Sequence, residues 1–168
     1  MRILGIDPSL RSTGYAVLEC AGKASPRAIA YGAIRNADRV SFSSCLVCIR
    51  DRLAELIQTH QPDCGAVEGI IYVQSYRTAI TLGAARGAAL LALAERGIPA
   101  YEYAPRRVKQ AIVGRGAADK SQIAFMVRAL LGLTETPSPD AADAMAIGLT
   151  HLQTLASPIS KLSAPKQL

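Results

Sequence analysis

The chain has 168 residues, 50% of them hydrophobic, and a formal net charge of +6 at pH 7. A chain of this length can bury one substantial core but is short for two, so we expect a single domain. The longest apolar runs fall well below the roughly 20 residues that span a bilayer, and the N-terminus lacks the basic and apolar regions of a signal peptide. We therefore expect a cytoplasmic protein with no membrane segment.

Hydrophobic periodicity and turn residues predict alternating strands and helices. In chain order, we expect strands over residues 2–7, 14–20 and about 27–34, a helix over about 41–60, a strand over 64–67, a helix over 75–95, a strand over 100–103, and helices over 105–113, 120–131 and 139–152. Short connections between the first three strands favour an antiparallel meander. Helices alternate with strands afterwards, which predicts an α/β fold with a mixed sheet and helices on its faces.

The last dozen residues differ in composition from the rest of the chain. Residues 157–168 contain two prolines, three serines and two lysines, with no sustained periodicity. Such segments bury too little apolar surface to order themselves. We predict one domain over residues 1–156, followed by a mobile tail over 157–168.

Two of the four cysteines, Cys45 and Cys48, have CxxC spacing, which is found in redox pairs and zinc sites. Cys45 lies in a row of apolar residues at three- and four-residue steps, which is typical of the buried side of a helix. The chain has no second CxxC or paired histidines to complete a tetrahedral zinc site. We interpret these cysteines as thiols in a helix rather than as a functional pair.

Basic residues are concentrated in the middle third of the chain. Residues 69–128 carry nine basic and three acidic groups, whereas residues 1–68 carry eight and seven. A local basic excess beside acidic clusters is typical of proteins that bind phosphate backbone and also hold cations. A solubilising surface has the same composition, so the charge alone leaves both interpretations open.

Four acidic residues occupy positions that favour a shared site. Asp7 and Glu68 each end an apolar strand, and ligands of open α/β sheets bind beyond the carboxyl ends of strands. Asp140 and Asp143 are three residues apart near the start of the last helix and therefore share a face. The four carboxylates together predict a site for hard divalent cations.

Each of these acids also has a structural interpretation. Asp7 can bond its own turn backbone, and Asp140 and Asp143 can complement the helix dipole. These interpretations weaken when the acids are taken together, because burying two carboxylates at one sheet edge is unfavourable without a cation.

A series of short motifs resembles the RuvC family in order, from residue 2 to about 153. The motifs are Ile3-Leu-Gly-Ile-Asp7-Pro8, Thr13-Gly14-Tyr15, Val67-Glu68, Leu82-Gly-Ala-Ala-Arg86-Gly87, Val108-Lys109-Gln110, Lys120-Ser121-Gln122 and Asp140-Ala-Ala-Asp143-Ala144. The resemblance covers nearly the whole chain and is more specific than any single motif. It implies a ribonuclease H-like nuclease domain.

The resemblance also implies residue roles, metals and partners. Asp7, Glu68, Asp140 and Asp143 match the four catalytic carboxylates of the family and, as metal ligands, would hold two Mg²⁺ ions, for which Mn²⁺ can substitute. Lys109 and Lys120 match its two functional lysines, which we expect to place positive charge at phosphates. The implied activity is resolution of four-way junction DNA by symmetric cuts that leave 5′-phosphate and 3′-hydroxyl ends. The implied partners are a second copy of the chain and the RuvA and RuvB branch-migration proteins.

Two positions depart from the family pattern. The family usually has glycine after Asp-Pro, where this chain has Ser9, another good turn former. The family places an aromatic residue three positions after the catalytic glutamate, where this chain has Ile71 followed by Tyr72. Aliphatic side chains can also insert between bases. We favour Ile71 as the junction wedge because the flanking motifs then align without a gap, and Tyr72 is the alternative.

The basic segment and the small-residue helix supply further candidates. The predicted DNA contacts are Ile71, Tyr72, Arg77, Arg86, Arg106, Arg107 and Arg115. Paired cuts in a two-fold junction require two active sites, so we expect a homodimer. Its proposed contact is a stripe of Ala79, Gly83, Gly87 and Leu90 in the helix over 75–95. Packing of this helix on its own sheet is the alternative.

Two other classes of protein remain as alternatives. Gly5-Ile-Asp7 followed by hydroxyl residues resembles the phosphate-binding hairpin of ATP-binding proteins of the actin and sugar-kinase type, but those proteins need two lobes. A non-catalytic nucleic-acid-binding module of the same fold is the second alternative. Retention of four acids argues against it, since clustered acids repel DNA unless cations are bound.

Overall fold

A computed structural model of the protein describes residues 1–22, 24–70, 75–156 and 166–168. The strands are β1 (Arg2–Asp7), β2 (Ser12–Glu19), β3 (Arg27–Arg35), β4 (Cys64–Glu68), β5 (Ala100–Tyr103) and β6 (Lys166–Gln167). The helices are α1 (Phe42–His60), α2 (Tyr76–Ala94), α3 (Pro105–Val113), α4 (Lys120–Leu131) and α5 (Pro139–Ala156). The predicted α/β fold is confirmed.

The six strands form one mixed sheet in the order β3-β2-β1-β4-β5-β6. β1, β2 and β3 form the predicted antiparallel meander, while β1, β4 and β5 run parallel to one another. β1 is therefore a central strand, and its Ile3, Leu4 and Ile6 side chains are fully buried. This explains its nearly continuous apolar sequence, because a strand covered on both faces needs apolar residues on both.

Two hydrophobic clusters lie on opposite faces of the sheet. One combines β1 and β4 side chains with the buried sides of α1 and α2, including Ile49, Leu53 and Leu93. The other packs α3, α4 and α5 on the opposite face, with Ile3, Tyr103 and Met145 at its centre. The acids at the strand ends therefore belong to a layered scaffold whose helices α3–α5 all lie on one side.

The cysteine interpretation agrees with the structure. Cys45 is fully buried on the inner side of α1, and the four cysteines are free thiols. In the part of the chain that the structure describes, no helix is long and apolar enough to cross a membrane.

Several element boundaries differ from the predictions, most of them by a single residue. β2 begins at Ser12 rather than residue 14, and α5 continues to Ala156 rather than 152. The predicted tail is not wholly free: Lys166–Gln167 pairs with β5 in an antiparallel manner. The exposed edge of β5 offers unpaired backbone groups, to which even a short segment without apolar periodicity can bind. Residues 157–165, the rest of the predicted tail, lie outside the described residues.

Candidate active site

The four predicted acids come from three elements that meet at one edge of the sheet. β1 and β4 are parallel neighbours, with Ile6 paired to Val67. The next residue of each strand is Asp7 or Glu68, so both carboxylates emerge at the same edge. The first turns of α5 cross this edge and add Asp140 and Asp143. The structure therefore brings together the acids that the sequence separates by more than a hundred residues.

These acids line a cleft of about 680 Å³. The same cleft is lined by both predicted lysines and by two of the predicted arginines. Its polar lining consists of Asp7, Ser9, Ser12, Glu68, Arg86, Arg106, Lys109, Lys120, Asp140 and Asp143. One concave surface thus combines clustered acids with basic side chains.

Burial and mutual repulsion change the acidity of two of the carboxylates. The pKa of Asp7 is raised to about 6, chiefly by burial and next by the charge of Asp143. The pKa of Glu68 is raised to about 7, again chiefly by burial and then by Asp7 and Asp143, with Lys120 and Lys109 acting in the opposite direction. Both effects make the charged form of a carboxyl group less favourable, which is why these pKa values rise.

Asp143 and Asp140 each have a hydrogen-bond partner on a different element. Lys120, the first residue of α4, donates to Asp143 Oδ2 over 3.1 Å, and this contact raises the pKa of the lysine. Ser12, the first residue of β2, donates to Asp140 Oδ2 over 2.6 Å. The Lys120 side chain is still 76% exposed, so it is free to reorient toward a ligand in the cleft.

The donor set fits hard divalent cations, since carboxylate oxygens are the ligands that Mg²⁺ and Mn²⁺ prefer. Burial and the neighbouring acids raise the pKa of Asp7 and Glu68, and a bound cation would act in the opposite direction. Within the described residues, no three His, Cys, Asp or Glu side chains already converge as a closed metal-binding group. One of the four acids, Asp143, is held by the ammonium group of Lys120.

The predicted arginines occupy different environments. Arg106 and Arg86 both line the cleft. The guanidinium of Arg86 pairs with Glu102 through Nη2, and among the described residues its buried Nε has no hydrogen-bond partner. Arg107 lies 5.5 Å from the Tyr103 ring centre, facing the core. Arg77 and Arg115 are exposed and lie outside the cleft lining.

The exposed face of α2 shares only Gly83 and Gly87 with the stripe of residues that the sequence predicted as a dimer contact. Gly83 and Gly87 are exposed, and a Cβ atom at either position would meet nothing within 4 Å. Ile80 and Leu91 extend this exposed face, with 63% and 51% exposure. Leu90, in contrast, packs against the core. The helix packs against α1 and the sheet through a separate row of alanines, Ala85, Ala89 and Ala92.

The wedge candidates Ile71 and Tyr72 lie outside the described residues. On either side of them, the backbone N–H of Gly69 donates to the Tyr103 carbonyl over 2.9 Å, and α2 begins at Tyr76. The choice between the two side chains stays a prediction.

Two cleft-related residues were missed in the sequence. Ser12 looked like one of several turn hydroxyls, and nothing local marks it as a partner of Asp140. Glu102 gave a weak signal, as a single charge within the short strand β5. It pairs with Arg86 and lies 3.9 Å from the ammonium of Lys166 in β6.

The protein has a mixed sheet in which two parallel neighbouring strands, β1 and β4, end in acids, and α5 adds two more acids at the same place. This combination defines a nuclease of the ribonuclease H-like class. Residues 3–151 match the family model described as crossover junction endodeoxyribonuclease RuvC. The RuvC of Akkermansia muciniphila is 57% identical over 152 residues, which is 90% of each chain. The RuvC of Halorhodospira halophila is 45% identical over 95% of this chain and 94% of its own.

Solved structures agree with these sequence relatives. Thermus thermophilus RuvC in complex with a Holliday junction substrate superposes with a TM-score of 0.88 at 34% identity, covering 100% of this chain and 99% of its own. The yeast mitochondrial resolvase Ydc2, at 13% identity and a TM-score of 0.61, shares the fold. The chain belongs to the RuvC family of crossover junction endodeoxyribonucleases, hydrolases that act on DNA and use divalent metal ions. The ATP-binding and non-catalytic alternatives are not favoured.

Proposed function

We propose that this protein resolves Holliday junctions by two symmetric hydrolytic cuts, as a step in DNA recombination and repair. One observation supports this most strongly: four carboxylates and two lysines, all matching the family's functional positions, line a single cleft of about 680 Å³. A DNA strand entering this cleft would meet both basic side chains and acids.

Asp7, Glu68, Asp140 and Asp143 are the proposed ligands of two Mg²⁺ ions, for which Mn²⁺ can substitute. Cations bound there would activate a water and stabilise the departing 3′ oxygen, leaving 5′-phosphate and 3′-hydroxyl ends. The carboxylates orient these cations, and their raised pKa values fall once positive charge is close.

Lys120 and Lys109 are proposed to act on the phosphate. Lys120 now donates to Asp143, but its exposed, flexible side chain can reach a phosphate in the same cleft. Lys109 lines the cleft from α3. Both ammonium groups would offset the negative charge that develops on the phosphate during displacement.

Further DNA contacts are proposed for the arginines and for the segment after Glu68. The positions of Arg86 and of the exposed Arg106 in the lining of the cleft support phosphate contacts. Arg77, Arg107 and Arg115 are proposed to bind DNA outside the cleft. Arg107 has its contact with Tyr103 in the protein without DNA.

Ile71 is the proposed wedge at the junction centre, with Tyr72 as the alternative. Neighbouring residues point in opposite directions wherever a segment is extended, and in that case only one of the two can enter the junction. Ile71→Ala should reduce the unstacking of 2-aminopurine placed at the crossover, whereas Tyr72→Ala should preserve it. A signal lost only in Tyr72→Ala would reverse this choice.

The active unit is proposed to be a homodimer, because two cuts related by a two-fold axis need two active sites. The exposed face of α2 around Gly83 and Gly87 is the proposed contact. Its glycines allow another backbone to approach closely, and Ile80 and Leu91 supply apolar surface. RuvA and RuvB are proposed partners on the basis of family membership alone.

The activity is tested by cutting assays on a synthetic four-way junction and on a linear duplex of the same sequence. We expect paired cuts in opposing strands of the junction with Mg²⁺, none with EDTA, and little cutting of the duplex. Equal cutting of both substrates would mean that the protein is a general nuclease and not a junction resolvase. Binding of the junction without cutting in Mg²⁺ or Mn²⁺ would favour the non-catalytic module.

A further inference from the structure

Ser12 forms a short hydrogen bond with one of the four acids. Its Oγ donates to Asp140 Oδ2 over 2.6 Å, across 128 positions of sequence. Ser12 is the first residue of β2, is partly buried, and lines the cleft. The contact ties the carboxylate on α5 to the sheet through a neutral group.

The backbone at Asp140 is held against the same strand. A Cβ atom at Gly14 would lie 2.0 Å from the Asp140 carbonyl oxygen, closer than any side chain permits. Gly14 is two residues after Ser12, and alternate residues of a strand face the same side. Gly14 also pairs directly with Asp7 in β1. β2 therefore contacts both the backbone and the carboxylate of Asp140, next to the strand end that carries Asp7.

The partners of Asp140 and Asp143 differ in a way that matters for cation binding. Lys120 is positively charged, so a cation that binds Asp143 repels the ammonium that now occupies it. The Ser12 hydroxyl is neutral and can keep donating to one oxygen of Asp140 while the carboxylate binds a cation. Outer hydrogen bonds of this kind orient metal-binding carboxylates.

We propose that Ser12 is a positioning residue that fixes the rotamer of Asp140 for divalent-cation binding. The absence of a side chain at Gly14 lets the Asp140 backbone lie close enough to β2 for this contact. Oδ2 receives the hydroxyl, and Oδ1 is left for the cation. The proposal rests on the proposed function for the identity of the ligand, but it concerns cation affinity rather than DNA cleavage.

The test compares four single substitutions in the full-length protein. Ser12→Val and Ser12→Thr introduce side chains of nearly the same shape, of which only threonine keeps the hydroxyl. Ser12→Ala removes the hydroxyl without adding bulk. Ser44→Ala is the control, because Ser44 is an exposed hydroxyl residue in the first turn of α1, outside the cleft lining. Mn²⁺ binding is measured without DNA by electron paramagnetic resonance, and the Mg²⁺ dependence of junction cutting is measured at single turnover.

Ser12→Ala and Ser12→Val should weaken Mn²⁺ binding about tenfold, as loss of outer hydrogen bonds does at other metal sites. The Mg²⁺ concentration for half-maximal cutting should rise by a similar factor, with the rate at saturating Mg²⁺ less affected. Ser12→Thr should retain most of the affinity, and Ser44→Ala should match the unsubstituted protein.

Unchanged Mn²⁺ affinity in Ser12→Ala and Ser12→Val would overturn the proposal, and so would equal losses in Ser12→Val and Ser12→Thr. Failure of the proposed function would give a different result from failure of this proposal. In that case the unsubstituted protein cuts no junction, yet the ranking of the four variants in Mn²⁺ binding still decides the role of Ser12.

Discussion

At the residue scale, Asp7 and Glu68 combine a proposed role in metal binding with a cost in stability. Both are partly buried carboxylates facing other acids, and their pKa values rise to about 6 and about 7. An acid with a raised pKa in the folded state stabilises the fold most at low pH, and that contribution is lost as pH rises through the folded pKa. At pH 8 without metal, the ionised pair therefore destabilises the protein.

Replacing Asp7 with asparagine should separate these two effects. We expect Asp7→Asn to abolish cleavage but keep junction binding, because it removes a proposed metal ligand while lowering negative charge near DNA. At pH 8 in EDTA it should raise the free energy of unfolding by about 1–2 kcal/mol, because an amide does not ionise and so avoids the burial and charge repulsion that raise the pKa of Asp7, although the new amide is imperfectly paired. Urea denaturation and a cutting assay check the pair of outcomes. Cutting near the unsubstituted rate would remove Asp7 from the site.

The pH dependence of metal use follows from the same pKa values. Cations bind the ionised carboxylates, so lowering the pH through about 7 and then about 6 makes protons compete for Glu68 and Asp7. The Mg²⁺ concentration for half-maximal cutting should therefore rise steadily as pH falls from 8 to 6. Saturating Mg²⁺ should shift the pH midpoint of the cutting rate downward. A midpoint that does not move with Mg²⁺ would separate these acids from cation binding.

Buried His151 makes a second contribution to pH dependence, of opposite sign. Its pKa is lowered to about 4 by burial between Cys64 and Tyr103, so its contribution to stability is lost as pH falls from about 6.5 to about 4. The pH dependence of stability is therefore best compared between the unsubstituted protein and Asp7→Asn, in which the histidine contribution cancels.

At the element scale, α2 presents one face to its own sheet and another to solvent. Ala85, Ala89 and Ala92 are buried, whereas Ile80, Gly83, Gly87 and Leu91 are exposed. A contiguous apolar face on a helix of a DNA-binding protein marks a site of association. Here the glycines and the need for two cuts favour a second copy of the chain.

Ile80→Glu should convert the proposed dimer to a monomer, because a charge at a closely packed contact must be desolvated. Phe125→Glu is a matched control, since Phe125 is 64% exposed and Ile80 is 63% exposed, but Phe125 lies on α4 on the other side of the sheet. Analytical ultracentrifugation at micromolar concentration should show a monomer for Ile80→Glu alone. If Ile80→Glu remains a dimer, the contact lies elsewhere on the surface.

Elements with a strong local pattern could be predicted from the sequence. The apolar strands ending in Asp7 and Glu68 were recognisable because few residues other than functional acids belong at such positions. The partner of Asp140 could not be predicted, because the Ser12 contact depends on how α5 crosses the sheet. The pairing of Lys166–Gln167 with β5 also escaped prediction, since it arises from an open sheet edge rather than from periodicity.

At the scale of the whole molecule, the basic residues and the four clustered acids come from different elements of the fold. The middle third holds the basic excess, and its α3 and α4 bring Arg106, Lys109 and Lys120 to the rim of the cleft. The acids lie at the carboxyl ends of β1 and β4 and in the first turns of α5. Basic side chains attract the DNA backbone, while the acids need cations before phosphate can approach. With this arrangement, we expect cleavage to depend on both metal and bound DNA.

Paired cutting of one DNA molecule tests the central claim most directly. A supercoiled plasmid that extrudes a cruciform contains one four-way junction, and two symmetric cuts during one binding event linearise it. With Mg²⁺ we expect linear DNA with 5′-phosphate ends as the first product, and nicked circles to accumulate only when the dimer contact is broken by Ile80→Glu. Nicked circles as the main product of the unsubstituted protein, or equal cutting of a plasmid without the inverted repeat, would contradict the account.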